Sequence, residues 1–176
     1  APSYAIARMN SDGTLDVLTG SQDIGTGTKT VMAQITAEEL GVNIEKIHVV
    51  VGDTLAGPYG ILSAGSLTVP SVGPAVRMAA KDVKDQIIDV ASAILDEPAE
   101  QLAIRDGAVV SESGSEITID KLAEKVGDFM IIGKGARGPN PDKHIVNTFG
   151  AHFAEVEVDM ETGEVTVLSI VAVHEF

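Results

Sequence analysis

The 176-residue sequence contains no cysteine and no tryptophan. Without thiols it can form no disulfide, offer no thiolate nucleophile and ligate no iron–sulfur cluster from its own residues. Aromatic residues make up only 3%, so a core has to be built from Ala, Val, Ile and Leu. Cationic residues are scarce too: 12 Lys and Arg stand against 26 Asp and Glu, for a net charge of -14. Such a surface repels nucleic-acid phosphates and anionic membranes, which argues against both as partners; no nucleic-acid partner is expected. No apolar run is long enough for a transmembrane helix. The histidines, His48, His144, His152 and His174, are scattered without metal-ligand spacing. A metal site built from side chains is therefore not expected. His48, inside Ile47-His48-Val49-Val50, reads as a strand residue on a polar face.

What is present is glycine at chosen places. Residues 22–34 run Gln-Asp-Ile-Gly-Thr-Gly-Thr-Lys-Thr-Val-Met-Ala-Gln, a polar turn leading directly into a helical pattern. A helix start offers open N–H groups and the positive end of its dipole. Gly25 and Gly27 can take positive φ and admit a ligand close to the main chain. The turn thus reads as a ligand cradle or as a plain strand-to-helix turn with a Thr cap. It is not a P-loop, because Thr28 rather than Gly precedes Lys29-Thr30, nor a dinucleotide fingerprint, which needs Gly at Thr30. A second entry of the same kind lies at 60–74, where Gly65, Ser66, Thr68 and Ser71 crowd ahead of a long helix.

The coarse pattern is α+β. Runs at 4–9 and 14–19 flank the turn Asn10-Ser11-Asp12-Gly13. A helix over 28–40 ends at Gly41, a C-cap glycine, and a β-rich run follows at 46–51. Residues 71–95 form the strongest helix, with a buried stripe at Val72, Val76, Ala79, Val83, Ile87, Val90 and Ile94. Residues 102–104 and 108–110 flank the tight turn Asp106-Gly107, and 119–126 reads as a short helix. A strand is expected over 129–132, and 134–143, rich in Gly and Pro, reads as a loop. A final hairpin over 146–159 and 164–173 has Ala154, Val156 and Val158 inward and Glu155, Glu157 and Asp159 outward. The sum is a two-layer fold with helices packed on a mixed sheet.

Several pieces, in order, resemble one family. They are Asp23-Ile24-Gly25-Thr26-Gly27, Ala33-Gln34 with Ala37-Glu38-Glu39-Leu40-Gly41, Val51-Gly52-Asp53-Thr54, Ser63-Ala64-Gly65-Ser66 and Ser71-Val72-Gly73-Pro74-Ala75-Val76. Phe149-Gly150-Ala151-His152-Phe153-Ala154-Glu155-Val156-Glu157-Val158-Asp159 and Glu161-Thr162-Gly163-Glu164-Val165 continue the pattern. Together they resemble the molybdenum-binding subunit of the xanthine dehydrogenase/aldehyde oxidase family. The resemblance covers nearly the whole chain, with little of it in residues 98–145.

The resemblance implies a molybdenum cofactor-binding fold and a molybdopterin held by two loops. Carried over by position, these are Gly25, Thr26 and Gly27, then Gly65, Ser66, Leu67 and Thr68. Many members place Gln between the first two glycines; here Thr26 stands there and the longer amide contact is missing. The second loop is also less glycine-rich than in many relatives.

The resemblance further implies an oxidoreductase that hydroxylates aldehydes or N-heterocycles with oxygen from water. Electrons leave through iron–sulfur and flavin domains or subunits, and a general-base glutamate lies beyond residue 176. No catalytic residue is expected within the chain. Asp23 reads as a turn or helix-start carboxylate, Glu38 and Glu39 as a solvated helix face, and Asp53 as a strand-end turn.

No linker or repeat divides the chain, so residues 1–176 are expected to be a single molybdopterin-binding domain. Its opening on Ala1-Pro2-Ser3 and its end in strand pattern suggest a piece excised from a longer polypeptide. No signal-peptide pattern opens the sequence, so a cytoplasmic location is expected, with the periplasm as alternative. The competing functional readings are a catalytically silent scaffold or interaction domain and, more weakly, a phosphate-ligand module built on the first turn.

Overall fold

The computed structural model describes residues 2–125, 130–138 and 149–175. The chain divides into two compact units, residues 1–138 and 139–176. In the first, β1 (Tyr4–Met9) and β2 (Leu15–Thr19) form an antiparallel hairpin closed by Gly13 at φ 78°. The helix α1 (Thr28–Leu40) then crosses to β3 (Ile47–Val51), which lies parallel to β2. Gly41 caps α1 in the left-handed region, its amide donating to the Ala37 carbonyl at 2.8 Å. The long helix α2 (Thr68–Leu95) follows.

A small antiparallel sheet comes next: β4 (Leu102–Arg105), β5 (Ala108–Ser111) and β6 (Glu116–Thr118), leading into α3 (Ile119–Lys125). Then β7 (Ile132–Ala136) returns to pair antiparallel with β1. The main sheet therefore has the order β3-β2-β1-β7, and both long helices pack on it. The expected α+β architecture, helices over a mixed sheet, is the one found.

Strand alternation and helix periodicity meet in the core. Ala5, Ala7, Leu15 and Val17 point from the sheet, and Val72, Val76, Ala79, Val83 and Ile87 of α2 are fully buried with them. Val90 and Ile94 are only partly buried, because the stripe drifts to Ala91 at the end of the helix.

One strand departs from the sequence reading. Residues 134–136, read as loop, belong to β7, and its start at Ile132 lies at the end of the expected strand. Phe129 and Val126 fall outside the described residues. Glycine is a poor strand former, which hid this element. Gly133 and Gly135 are there because α2 lies against them: a Cβ on Gly135 would come within 2.7 Å of the Ala79 amide nitrogen.

The second unit contains the hairpin β8 (Phe149–Val158) and β9 (Val165–Glu175). Its register shifts between Glu155 and Val156, where Leu168 is left without a partner. The hairpin forms as expected, but the inward face does not: Ala154, Val156 and Val158 are exposed like the carboxylates between them, as are Val165, Val167 and Ile170 on the other strand. His152 and His174, far apart in sequence, meet across the ribbon with their Nε2 atoms 2.9 Å apart.

Candidate functional site

Gly20 and Gly60 bring the two loops of interest together. A Cβ on Gly20 would lie 2.5 Å from the Gly60 nitrogen, so only glycine permits this backbone-to-backbone approach. One step further out, Gln22 reaches across. Its Oε1 accepts from the Ser63 amide at 3.1 Å, and its own carbonyl accepts from the Ser63 hydroxyl at 2.5 Å. The Gln22 amide group donates to the Gly20 carbonyl at 3.1 Å, which holds its side chain in place.

Above this junction the loops line one pocket of about 380 Å³. The first loop contributes Ile24, Thr26 and Thr28, and the second contributes Ser63, Ala64, Gly65, Ser66, Thr68 and Val69. Of the expected site residues, Thr26, Gly65, Ser66 and Thr68 are thus brought together. Gly25 and Gly27 shape the first loop at φ 93° and 74° without lining the pocket. Leu67 is the residue preceding α2 and does not line it either. Gly65 and Ser66 both adopt φ 57°, unusual for serine, so the second loop is held in a sparsely populated conformation. No atom lies within 4 Å of a Cβ built on Gly25, Gly27 or Gly65, so each faces open space.

The first loop satisfies most of its own amides. Asp23 Oδ1 accepts from the amides of Gly25 at 3.0 Å and Thr26 at 3.1 Å, and Oδ2 accepts from Lys29 at 3.2 Å. The sequence reading expected those N–H groups to be open; Asp23 takes them, in the turn role expected of it. The Lys29 amide, aided by those of Gly25 and Thr26, holds the Asp23 carboxyl below its ordinary value of 3.8. What the first loop presents instead is hydroxyls: Thr26 Oγ1 and Thr28 Oγ1 lie 3.1 Å apart, and Thr28 reaches the Gln22 carbonyl at 3.4 Å.

The other acidic candidates are structural. Asp53 accepts from the amides of Leu55 and Ala56 in a turn after β3. Glu38 is exposed, but Glu39 is not solvated as expected: Arg77 of α2 donates to it at 2.7 Å, and its side chain is only 15% exposed. A larger open groove of about 990 Å³ lies at the far end of α1, lined by Glu38, Asn43, Arg105 and Asp106 among others. Neither glycine loop reaches it, so the smaller pocket is the candidate site.

The family described as the molybdopterin cofactor-binding domain matches residues 1–176. The chain belongs to that family. Among the relatives of this molybdopterin cofactor-binding domain, the probable hypoxanthine oxidase of Escherichia coli is 32% identical over 90% of the chain, which covers 17% of that protein. The aldehyde oxidoreductase molybdenum-binding subunit of the same species is 32% identical over 97% of the chain and 22% of that protein. Quinoline 2-oxidoreductase from Pseudomonas putida shares the fold, with a TM-score of 0.83 at 24% identity over 98% of the chain and 23% of its own. The chain thus spans about a fifth of the length of the relatives it matches.

The pocket fits the family's cofactor in kind. Thr26, Thr28, Ser66 and Thr68 are the hydroxyl-bearing residues of its lining, which is otherwise mainly apolar, and the backbone at Gly65 faces open space, so contacts to a polar cofactor such as molybdopterin would come from these groups. Sequence reasoning missed Gln22, Thr28 and Ser63 as parts of the site. All three lay in quoted stretches, but nothing in the sequence pairs Gln22 with Ser63, 41 residues away.

Proposed function

We propose that this chain is the molybdopterin-binding portion of a molybdenum hydroxylase that oxidises aldehydes or N-heterocycles. The convergence of the two glycine loops on one pocket supports this reading most directly. Bound molybdopterin would supply the molybdenum centre at which substrate is hydroxylated with oxygen from water. The residues of this chain bind and orient. Gly25 and Gly27 set the course of the first loop, and Thr26 offers it a hydroxyl. Gly65, Ser66 and Thr68 form the opposite wall, with Leu67 leading into α2. Asp23 keeps the first loop in shape by holding its amides, so ligand contact there falls to the hydroxyls.

On this reading, residues 1–176 act as one cofactor-binding domain of a longer polypeptide, and the metal-proximal base lies elsewhere in it. The relatives named as subunits point to partner chains, and iron–sulfur and flavin partners would carry the electrons away. Among the described residues no helix is long and apolar enough to cross a membrane. A cytoplasmic location is our proposal, with the periplasm as the alternative.

The test is the pterin and molybdenum content of the longest polypeptide that carries this chain. Gly27→Val and Gly65→Val each place a branched side chain at positive φ beside the pocket. Both should abolish loading, and Thr26→Ser should be nearly silent. Full loading in both valine variants would refute the two-loop site and favour the silent scaffold.

A further inference from the structure

We infer that Gln22 and Ser63 form a positioning clamp that sets the spacing of the two loops and thereby admits the pterin ligand. The inference rests on the proposed cofactor reading and names residues outside the loops carried over from the family. Three observations lead to it.

First, the two residues sit at equivalent places, each just ahead of its loop and beside the Gly20–Gly60 contact. Second, they are joined by two hydrogen bonds that run in the same direction, both from Ser63 to Gln22. The Thr28 hydroxyl reaches the same Gln22 carbonyl, so one residue ties the second loop, the first loop and the start of α1. Third, the Gly20–Gly60 contact and the packing of α1 on α2 hold the loops at their bases, and among the described residues the Gln22–Ser63 pair is the hydrogen-bonded link between them nearer the pocket. Gly25, Gly27 and Gly65 face open space, and the Asp23 bonds stay within the first loop. Without the clamp each loop keeps its own shape and its base, but the tips at Thr26 and Ser66 lose the hydrogen bonds that join the two loops.

Both residues act through the loops and touch no reacting atom, so their test separates positioning from folding. In the longest polypeptide that carries this chain, Gln22→Leu keeps side-chain bulk and removes the acceptor. Ser63→Ala removes the hydroxyl, and Ser63→Thr restores one. Pterin per folded protein should fall about fivefold to tenfold in Gln22→Leu, as expected for one lost hydrogen bond or slightly more. Ser63→Ala should lower it as well, Ser63→Thr should recover it, and the cooperative thermal transition should persist in all three. A second readout needs no cofactor: exchange of the Ser63 amide hydrogen should speed up in Gln22→Leu, while that of the Gly25 amide, held by Asp23, stays put.

Full pterin loading in Gln22→Leu and Ser63→Ala, alongside its loss in Gly65→Val, would overturn the clamp and leave the cofactor reading standing. A wild-type polypeptide without pterin would overturn both. Loss of loading in Ser63→Thr equal to that in Ser63→Ala would show that the hydroxyl is not what matters, and would also overturn the clamp.

Discussion

Arg137 donates from Nε to the carbonyl of Pro70 at 3.0 Å, supplying the hydrogen bond that Pro74 cannot. Within α2 the Pro70 carbonyl would ordinarily receive the amide of residue 74, but proline has none. The guanidinium arrives from the segment after β7, whose main chain is tied to β1 through the Arg137 amide and the Ser3 carbonyl at 2.9 Å. The first turns of α2, which follow the second loop in sequence, are thus completed from the segment after β7.

Replacing that donor should be costly. Arg137→Ala should lower unfolding stability by about 1.5 kcal/mol, the low end of the range for a hydrogen bond made by a charged group, because this one is exposed. Urea denaturation measures it. A change within about 0.5 kcal/mol, as for an ordinary surface substitution, would show that water serves Pro70 equally well.

Helix α2 should tolerate no buried charge. Val83 is fully buried against the sheet. Val83→Asp places an unpaired carboxylate there and should cost roughly 3–5 kcal/mol in chemical denaturation. A near-neutral result would mean that the stripe is not the core face.

The close approach of β7 to α2 makes its own prediction. A Cβ on Gly135 would overlap the Ala75 carbonyl oxygen and crowd the Ala79 amide. Gly135→Ala should therefore destabilise by about 1–3 kcal/mol, the usual cost of overpacking, although alanine is the better residue in most other settings. Gly138→Ala, at a position with no positive φ and open space around it, is the control without the steric clash.

Asp23 gives a pH signature. Its folded-state pKa is depressed below 3.8, chiefly by the Lys29 amide. A depressed carboxyl contributes stability above its unfolded pKa and loses it as pH falls through the folded value. The amide resonances of Gly25, Thr26 and Lys29 should therefore shift together on acidification, with a common midpoint below 3.8. Asp23→Asn should abolish that joint transition. A midpoint above 3.8 would contradict the bonding seen here.

By itself the 176-residue chain should fold and show no turnover of aldehydes or purines with an artificial electron acceptor. On the proposed function, the base and the electron carriers would belong to other parts of a longer polypeptide or to its partners. Clear turnover by the chain alone would place a catalytic group within it.

Much of this was readable from local chemistry. The periodicity of Val72, Val76, Ala79, Val83 and Ile87 marked α2 and its buried face, and Gly41 marked the end of α1. These signals are local because helix period and αL caps depend on residues within a few positions of each other. Gly25-Thr26-Gly27 and Gly65-Ser66 likewise announced two loops where a ligand could approach.

What the tertiary structure alone decided is how distant segments meet. β7 was hidden because Gly133 and Gly135 are poor strand formers, and their reason for being there is a helix some 50 residues earlier in the chain. The engagement of the Gly25 and Thr26 amides by Asp23 depended on how the turn closes, a choice that composition leaves open. The meeting of Gln22 with Ser63 and of His152 with His174 rests on register between segments, which no local propensity encodes. Sequence determined the elements and the family; packing determined which polar groups were already satisfied and which were left to face the pocket.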